Sequence, residues 1–253
     1  MKLLSLNCHS WQEKNQLEKI KYLGKTILEE NFQIVALQEV SKKIGDETMD
    51  FYRLLSEELK GYHGFWDFSH IGYSIYEEGL CIFSKYPIIA RESFYVSKDT
   101  NTNNWKSRKI VKVTLEVNGN KVDVYSCHMG WWNDEEEPFK EQCDRLLEKI
   151  KSSENISILM GDFNNDGNVS GEGYDYLLSK GLYDTYTLAK DSDEGITVLG
   201  EIDGWENSFE RKRMDLILST KPLEVEYSKI IFNGKHKKII SDHFGVNIQI
   251  RLK

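Results

Sequence analysis

Seven short polar clusters, spread over almost the whole chain, lie next to apolar stretches that are typical of β-strands. Strand ends hold side chains with little positional freedom, and parallel strands gather ligands at their carboxyl edge. The pattern therefore predicts a sheet fold in which residues far apart in sequence share one site. The clusters are Leu6-Asn7, Leu37-Gln38-Glu39-Val40, Glu78-Gly79, Cys127-His128, Gly161-Asp162-Phe163-Asn164, Arg213-Met214-Asp215 and Ser241-Asp242-His243.

The chemistry of these clusters is that of phosphate hydrolysis. Carboxylate and amide oxygens with two or more imidazoles suit a hard divalent cation and a phosphate ester, which needs charge neutralised and protons moved. Single clusters have ordinary alternatives: Asn7 is a common turn residue, Glu39 could open a loop, and Asp162 with Asn164 could form an Asx-turn. Asp215 lies in an apolar strand, where an unpaired carboxylate is costly, so it needs a partner such as histidine. Together the clusters predict a metal-dependent phosphoesterase.

One domain, residues 1–253, explains the chain better than two. No linker, repeat or low-complexity stretch divides it, and candidate residues run from Asn7 to His243, so both ends must meet. Many strands and few helices in mixed order favour two facing sheets flanked by helices. The predicted strands are 2–7, 33–38, 80–84, 88–96, 110–117, 121–128, 156–160, 213–219, 225–232 and 244–252, and the predicted helices are 15–30, 48–59, 139–150 and 174–179.

Charge and composition disfavour some classes of function. The formal net charge is −8 and no basic stripe extends beyond 235–238, which disfavours a nonspecific nuclease. Nucleic acid stays an alternative, because a metal and a local patch can neutralise its phosphates. No segment has the apolar length of a secretory signal or a membrane span, so we expect a cytoplasmic protein without a membrane partner. The four cysteines have no metal-type spacing and are expected to be buried free thiols: Cys8, Cys81, Cys127 and Cys143.

Taken in order with their flanks, the clusters resemble the endonuclease/exonuclease/phosphatase superfamily. This group holds DNase I-like nucleases, apurinic endonucleases, neutral sphingomyelinases and inositol-polyphosphate phosphatases. The matching stretches, extended to 78–88 and 213–217, cover nearly the whole chain. The resemblance implies an α/β (α+β) fold, a DNase I-like four-layer αββα sandwich of two mixed β-sheets flanked by helices. It also implies a site at one end and hydrolysis supported by Mg²⁺ or Mn²⁺.

The resemblance assigns the metal and the attacking water to five residues. It implies that Glu39 is the principal metal ligand, with Asn7 and Asp242 beside the metal or the phosphate. It also implies that Asp162 orients or deprotonates the attacking water, helped by Asn164. In-line attack on phosphorus needs such a positioned water and a cation on the oxygens.

The resemblance assigns the remaining roles to histidines and their partners. It implies that His243 contacts the phosphoryl oxygens, with its tautomer held by Asp215. It also implies that His128 acts as an acid or stabilises the transition state, steadied by Glu78. A histidine–carboxylate pair fixes which ring nitrogen faces the substrate. Arg108 lies where family members often place a phosphate-binding arginine, although a surface arginine is the commoner alternative.

Residues outside the clusters bear on the substrate, which superfamily membership does not fix. Trp131 and Trp132 follow His128 in a loop beside the expected rim, where an indole either packs into the fold or forms a flat wall for a sugar ring. With the acidic charge, this favours a small phosphorylated carbohydrate over duplex DNA. The stretches 6–12, 128–132 and 203–205 resemble the branch that contains maltose 6'-phosphate phosphatases, which implies a sugar-phosphate phosphomonoesterase.

Three alternatives remain open. A sphingomyelinase-like phosphodiesterase would be exported and carry an exposed apolar hairpin, and the sequence shows neither. A DNA endo- or exonuclease of the apurinic-endonuclease type should have a basic face. A non-catalytic binding module should have lost one or more site residues, and none is missing. No obligate protein partner is evident.

Overall fold

Strands make up most of the fold, which a computed structural model describes over residues 1–206 and 208–252. The strands are β1 (Lys2–Asn7), β2 (Ile34–Lys43), β3 (His63–Gly72), β4 (Tyr76–Ser84), β5 (Ile88–Tyr95), β6 (Lys109–Val117), β7 (Asn120–His128), β8 (Ile156–Asp162), β9 (Tyr183–Asp184), β10 (Val198–Leu199), β11 (Arg211–Lys212), β12 (Asp215–Ser219), β13 (Glu224–Ile231) and β14 (Gly245–Arg251). The helices are α1 (Gln16–Glu29), α2 (Phe51–Glu58), α3 (Phe139–Lys151), α4 (Gly173–Ser179) and α5 (Thr185–Leu188), with short 3-10 turns at Ser10–Gln12 and Glu47–Met49.

Twelve of these strands form two six-stranded mixed sheets. The first sheet has the order β13-β14-β1-β2-β4-β3, and the second has the order β5-β6-β7-β8-β12-β9. Each sheet contains one parallel pair, β1 with β2 and β7 with β8, among antiparallel neighbours. The carboxyl ends of these parallel pairs are where a site is expected, because ligands collect at such edges.

Alternate side chains of the strands enter different layers of the core. Leu3 packs between the sheets, whereas Leu4 packs under α1 and α2. The helices α3 and α4 cover the outer face of the second sheet in the same way, through Leu146 and Leu177. The resulting order is helix, sheet, sheet, helix. The four-layer αββα sandwich predicted from the sequence is therefore confirmed.

Among the longer elements, one strand was not predicted and one predicted helix is divided. The strand β3 was not predicted, because it lies at the edge of the first sheet and most of its side chains are half-buried, without a clear alternation. The helix predicted over 48–59 is divided. Its first residues form the 3-10 turn, and α2 starts only after Asp50, whose carboxylate accepts the backbone N–H of Arg53 at 2.9 Å.

Two simpler predictions concern cysteines and membrane spans. All four cysteines are free and buried, as expected from their apolar surroundings. Among the helices of residues 1–206 and 208–252, none has the length and apolar character needed to cross a membrane.

Candidate active site

The candidate site continues the layer between the sheets at the carboxyl ends of β7 and β8. In the second sheet, the ladder pairs His128 with Asp162, and Asp162 with Asp215, so these side chains lie side by side. Met160 and Ile217 lie two residues from Asp162 and Asp215 and belong to the inter-sheet core. Because side chains alternate along a strand, the carboxylates share that face. Strand periodicity alone therefore gathers three predicted site residues.

Glu39 reaches the same layer through a β-bulge in β2. The ladder between β2 and β4 shifts register between Leu37 and Val40, and Glu39 has a φ of 52°. Bulges redirect side chains, and strained φ values in residues other than glycine often mark functional sites. The Nδ2 atom of Asn7 donates to Glu39 Oε1 at 2.7 Å and to Asp162 Oδ2 at 3.2 Å. One amide thus joins carboxylates from the two sheets.

The carboxylates of the site lie close together, with Asp162 buried and Glu39 half-buried. Burial, with the charges of Glu78 and Asp242, raises the pKa of Glu39 to about 8. Burial also raises the pKa of Asp162 to about 6, although the charge of His243 opposes the shift. Crowded carboxylates that outnumber the nearby positive charges are an environment that a divalent cation stabilises. The predicted ligands Glu39 and Asp242 therefore fit a hard metal ion.

The predicted contact between His243 and Asp215 is present. His243 Nδ1 lies 2.8 Å from Asp215 Oδ2, and its Nε2 lies 3.8 Å from Asp162 Oδ2. Burial disfavours the charged ring, but the charges of Asp215 and Asp162 outweigh it and raise the pKa of His243 well above its usual value. A protonated His243 directs an Nε2–H donor into the site, where negative charge on a phosphoryl oxygen would be stabilised.

His128 has partners that the sequence did not predict. Its Nε2 lies 3.8 Å from Glu39 Oε1 and from Asp162 Oδ2, and Arg108 Nη1 lies 3.3 Å from each ring nitrogen. Burial and the charge of Arg108 hold the pKa of His128 well below its usual value. A neutral imidazole can donate one hydrogen bond but lacks the extra proton of a general acid. Of the two predicted roles, transition-state stabilisation fits this environment.

Glu78 pairs with His70, so the predicted His128–Glu78 contact is wrong. His70 Nε2 lies 3.3 Å from Glu78 Oε1, and no hydrogen bond or ion pair among the described residues joins Glu78 to His128. The cause is strand register: β3 and β4 place His70 opposite Glu78, whereas His128 belongs to the other sheet. Glu78 and His70 both line the cavity. His70 was missed because β3 was not recognised as a strand.

Asn164 is held in place by its neighbours. Its backbone N–H donates to Asp162 Oδ1 at 2.8 Å, and its Nδ2 donates to the carbonyl of Met129 at 2.9 Å. The indole N–H of Trp205 donates to Asn164 Oδ1 at 2.9 Å. These hydrogen bonds hold the Asn164 amide in place, and its backbone N–H fixes the Asp162 carboxylate.

Arg108 and two tryptophans form one wall of the site. Arg108 is only 5% exposed, which excludes the surface alternative, and its guanidinium carbon lies 5.6 Å from the ring centroid of Trp131. Trp105 packs edge-on against Trp131 at 5.8 Å, and both line the cavity. Trp132 differs from its predicted role. It packs against Phe139 of α3 at 6.3 Å and does not appear among the described lining residues.

These side chains surround a cavity of about 800 Å³, a volume typical of small-molecule sites. Among its described lining residues, carboxylates outnumber the cationic side chains Lys106, Arg108 and protonated His243. A phosphate would be repelled by this charge unless a cation neutralised part of it. The donor set therefore fits the divalent metal predicted from the sequence. The lining carboxylates are Glu39, Glu78, Asp134, Asp162, Asp203, Glu206 and Asp242.

Three contacts near the cavity were not predicted. The hydroxyl of Tyr73 donates to the Asp203 carboxylate, which joins the β3–β4 turn to the segment after β10. His9 Nδ1 lies 3.1 Å from Glu13 Oε1 and 3.5 Å from Asp242 Oδ2, and these three residues could also hold a cation. The sequence marked His9 only through the resemblance of residues 6–12. It gave no signal for Tyr73.

The chain matches one family model and several solved structures. Residues 6–243 match the model described as "Endonuclease/Exonuclease/phosphatase family". A family protein from Leptotrichia buccalis C-1013-b is 39% identical with a TM-score of 0.91, covering 100% of both chains. No curated protein gives a significant match.

More distant solved structures share the fold. The mannosyl-6-phosphatase Bt3783 of Bacteroides thetaiotaomicron VPI-5482 is 19% identical with a TM-score of 0.78, covering 100% of both chains. D. rerio TDP2, complexed with single strand DNA product, is 16% identical with a TM-score of 0.72, covering 100% of this chain and 99% of that one. The DNase I-like fold is therefore confirmed. Family members are divalent-metal-dependent hydrolases of phosphoester bonds, and the match over nearly its whole length shows that this chain belongs to the endonuclease/exonuclease/phosphatase family.

Proposed function

We propose that the protein is a phosphomonoesterase that releases phosphate from a small phosphorylated carbohydrate, with Mg²⁺ or Mn²⁺ as cofactor. The observation that carries this proposal is the indole wall of Trp105 and Trp131 in the same cavity as the hydrolytic residues. Indole faces stack on the C–H faces of sugar rings. Polar side chains that could pair with sugar hydroxyls line the same cavity, namely Asn103, Asp134, Asp203 and Glu206.

Residues between the sheets would activate the water. Asp162 would orient the attacking water or accept its proton, and the backbone N–H of Asn164 holds the carboxylate in place. Glu39, Asn7 and Asp242 would hold the cation, which neutralises charge on the phosphoryl oxygens when bound. This division of roles is the one that the family resemblance implies, and ionised carboxylates suit both the metal and the proton acceptor.

Hydrogen-bond donors would stabilise the phosphoryl oxygens as negative charge grows. His243 directs its Nε2 into the site, because Asp215 holds its Nδ1. Neutral His128 and the Arg108 guanidinium supply further donors from the second sheet. Phosphoryl transfer depends mostly on such positioning and charge stabilisation, so these three side chains are the expected catalytic donors.

A nucleic-acid phosphodiester is the main alternative, and it is favoured by the fold shared with TDP2, which was solved with a DNA product. The charge of this chain opposes it, because a backbone-tracking groove is normally basic. The cavity offers Lys106, Arg108 and protonated His243 against a surplus of carboxylates. A small substrate with one phosphate suits that balance better than a polyanion.

A lipid phosphodiester is a second alternative with one observation in its favour. Tyr73 and Ile75, in the turn between β3 and β4, are 55% and 45% exposed, and Ile44 beside them is 51% exposed. Membrane-docking segments expose apolar side chains in this way. The cluster is small, and it adjoins the charged Glu77. Sphingomyelin vesicles are therefore among the substrates to be tested.

We propose that residues 1–253 form one domain and that the protein is cytoplasmic. The site takes residues from Asn7 to His243, so both chain ends contribute to it. Free, buried cysteines fit a reducing compartment.

The test is phosphate release from a panel of substrates with Mg²⁺, Mn²⁺ or EDTA. The panel holds hexose and disaccharide phosphates, bis(p-nitrophenyl) phosphate, sphingomyelin vesicles, and single-stranded or abasic oligonucleotides. We expect sugar phosphates to give the highest kcat/KM and EDTA to abolish turnover. A higher kcat/KM on an oligonucleotide or on sphingomyelin would overturn the proposal.

A further inference from the structure

His70 is a buried residue on the cavity wall that has no part in the proposed hydrolysis. It is 5% exposed, and a register shift in β3 between Phe68 and His70 places it opposite Glu78 of β4. Gly79 permits this close pairing, because a Cβ there would lie 2.1 Å from the carbonyl oxygen of Asp67. Backbone geometry therefore fixes the pair of His70 and Glu78.

Both ring nitrogens of His70 face hydrogen-bond acceptors. Nδ1 lies 3.2 Å from the carbonyl oxygen of Ser107, and Nε2 lies 3.3 Å from Glu78 Oε1. A carbonyl oxygen only accepts hydrogen bonds, so Nδ1 donates to Ser107, while Nε2 is occupied by the carboxyl group of Glu78. His70 then has no free nitrogen for a substrate. It connects Glu78 of the first sheet to the backbone that precedes β6 of the second.

Ser107 is followed by Arg108, whose side chain faces the cavity. The backbone N–H of Arg108 donates to Ser97 Oγ at 2.9 Å, and its Nη1 lies 3.3 Å from the ring of His128. In residues 1–206 and 208–252, no carboxylate forms an ion pair with the Arg108 guanidinium. The guanidinium is therefore available to a phosphate, and the carbonyl that His70 contacts belongs to the residue directly before Arg108.

We propose that His70, held by Glu78, is a positioning residue that fixes Arg108 for binding the phosphate of the substrate. Glu78 then acts through His70 and the Ser107 carbonyl rather than by orienting His128. Displacing a phosphate-binding group by about 1 Å can lower catalysis about 100-fold, so such support matters. This inference rests on the phosphoesterase activity of the proposed function but not on the carbohydrate class of its substrate.

The first experiment compares two replacements of His70 that each keep one hydrogen bond. His70→Asn keeps a donor near the Nδ1 position and so the bond to Ser107, whereas His70→Gln keeps a donor near Nε2 and so the bond to Glu78. We expect His70→Gln and His70→Ala to weaken inorganic phosphate binding about tenfold at saturating Mg²⁺, and His70→Asn to weaken it less than about threefold. Calorimetry measures the Kd. Equal losses in the Asn and Gln variants would overturn the proposal.

The second experiment is a double-mutant cycle on kcat/KM for p-nitrophenyl phosphate. If His70 acts through Arg108, adding His70→Ala to Arg108→Ala causes no further loss. His63→Ala is the matched control, because His63 is exposed in the same strand. The small loss of kcat/KM caused by His63→Ala should be the same with and without Arg108→Ala. Multiplicative losses for His70→Ala would show an independent role and refute the inference.

The outcomes separate this inference from the proposed function. The wild-type protein could bind phosphate and hydrolyse p-nitrophenyl phosphate but no sugar phosphate. This result would overturn the carbohydrate proposal, and the double-mutant cycle would still test the role of His70. If His70→Ala does not fold, the comparison between His70→Asn and His70→Gln decides alone. A wild-type protein that binds no phosphate overturns both.

Discussion

Asp162 lies at the centre of the site, with its Oδ2 atom 3.8 Å from ring nitrogens of His128 and His243. Replacing Asp162 with Asn keeps the size of the side chain and removes the charge that would orient or deprotonate water. We expect kcat for phosphate release to fall about 10³-fold, within the range for a general base. Thermal unfolding should show Tm unchanged or raised, because a buried carboxylate is lost.

Asp166 provides a matched control for this substitution. It lies in the same loop and accepts the backbone N–H of Arg213 at 3.0 Å, which an asparagine oxygen can also do. Asp166→Asn should change kcat less than about threefold, as is typical of residues that do not touch the reacting groups. Similar losses in both variants would contradict a special role for Asp162.

The neighbouring tryptophans allow a second comparison between single residues. Trp131 lines the cavity and Trp132 packs on Phe139, so the two substitutions should affect different quantities. Trp131→Ala should raise KM about tenfold with little change in Tm, because it removes substrate contacts. Trp132→Ala should lower the free energy of unfolding by about 2–4 kcal/mol with KM nearly unchanged. Steady-state kinetics and urea unfolding measure the two effects, and a larger rise in KM for Trp132→Ala would reverse the assignment.

Most candidate residues could be identified from the sequence, and so could the pair of His243 and Asp215, whereas the partner of Glu78 could not. Asn7, His128 and Asp162 stand at strand ends, and strand periodicity is a local property of the sequence. The partner of Glu78 depends on the register between β3 and β4, which a bulge shifts by one residue. A local pattern contains no information on that register. The carried-over pairing with His128 was wrong for this reason.

At the level of elements, predictions worked best where one face of the element is clearly buried. The strand β8 was predicted because its residues are nearly all buried, whereas β3 was missed because its aromatic side chains are half-buried at a sheet edge. Because β3 was missed, two residues near the site were missed as well: His70 in the strand and Tyr73 in the turn after it. Edge strands near a site are thus the elements that sequence periodicity finds least well.

The turn between β3 and β4 is expected to select against diesters. Tyr73 and Ser74 have φ values of 50° and 63°, which are costly for such residues, and Tyr73 contacts Asp203. This contact leaves less room for a second ester group. Tyr73→Ala should raise the ratio of kcat/KM for bis(p-nitrophenyl) phosphate to that for p-nitrophenyl phosphate about tenfold. Tyr183→Ala, which replaces an exposed tyrosine of β9, is the control. Equal ratios in the two variants would exclude the selection.

At the scale of the whole molecule, the two sheets form a site that neither sheet holds alone. The first sheet supplies Asn7 and Glu39, and the second supplies His128, Asp162 and Asp215. The aliphatic layer between the sheets fixes their distance, so the carboxylates meet at its end whatever their mutual repulsion. Packing energy therefore holds together charges that would separate in a less rigid fold. A bound cation would lower this electrostatic cost, and the cost varies with pH.

The metal-free protein should lose stability as pH rises from 7 to 9. Glu39 has a folded-state pKa raised from its ordinary 4.5 to about 8. Its stabilising contribution is full below pH 4.5 and is lost as pH rises through about 8. Asp162, raised from 3.8 to about 6, acts in the same direction at lower pH. The pKa of His128 is lowered from 6.5, so His128 reduces stability only as pH falls below 6.5. Measurements above pH 7 are therefore free of its contribution.

Divalent metal should reverse this loss, and its effect should grow with pH. Metal binding requires deprotonated carboxylates, so protons and Mg²⁺ compete for Glu39. The increase in Tm caused by Mg²⁺, relative to EDTA, should therefore be larger at pH 9 than at pH 7. Glu39→Gln, which cannot ionise, should reduce both the loss in EDTA and the gain with Mg²⁺. A gain equal at both pH values in the wild type, or unchanged in Glu39→Gln, would mean that Glu39 does not bind the cation.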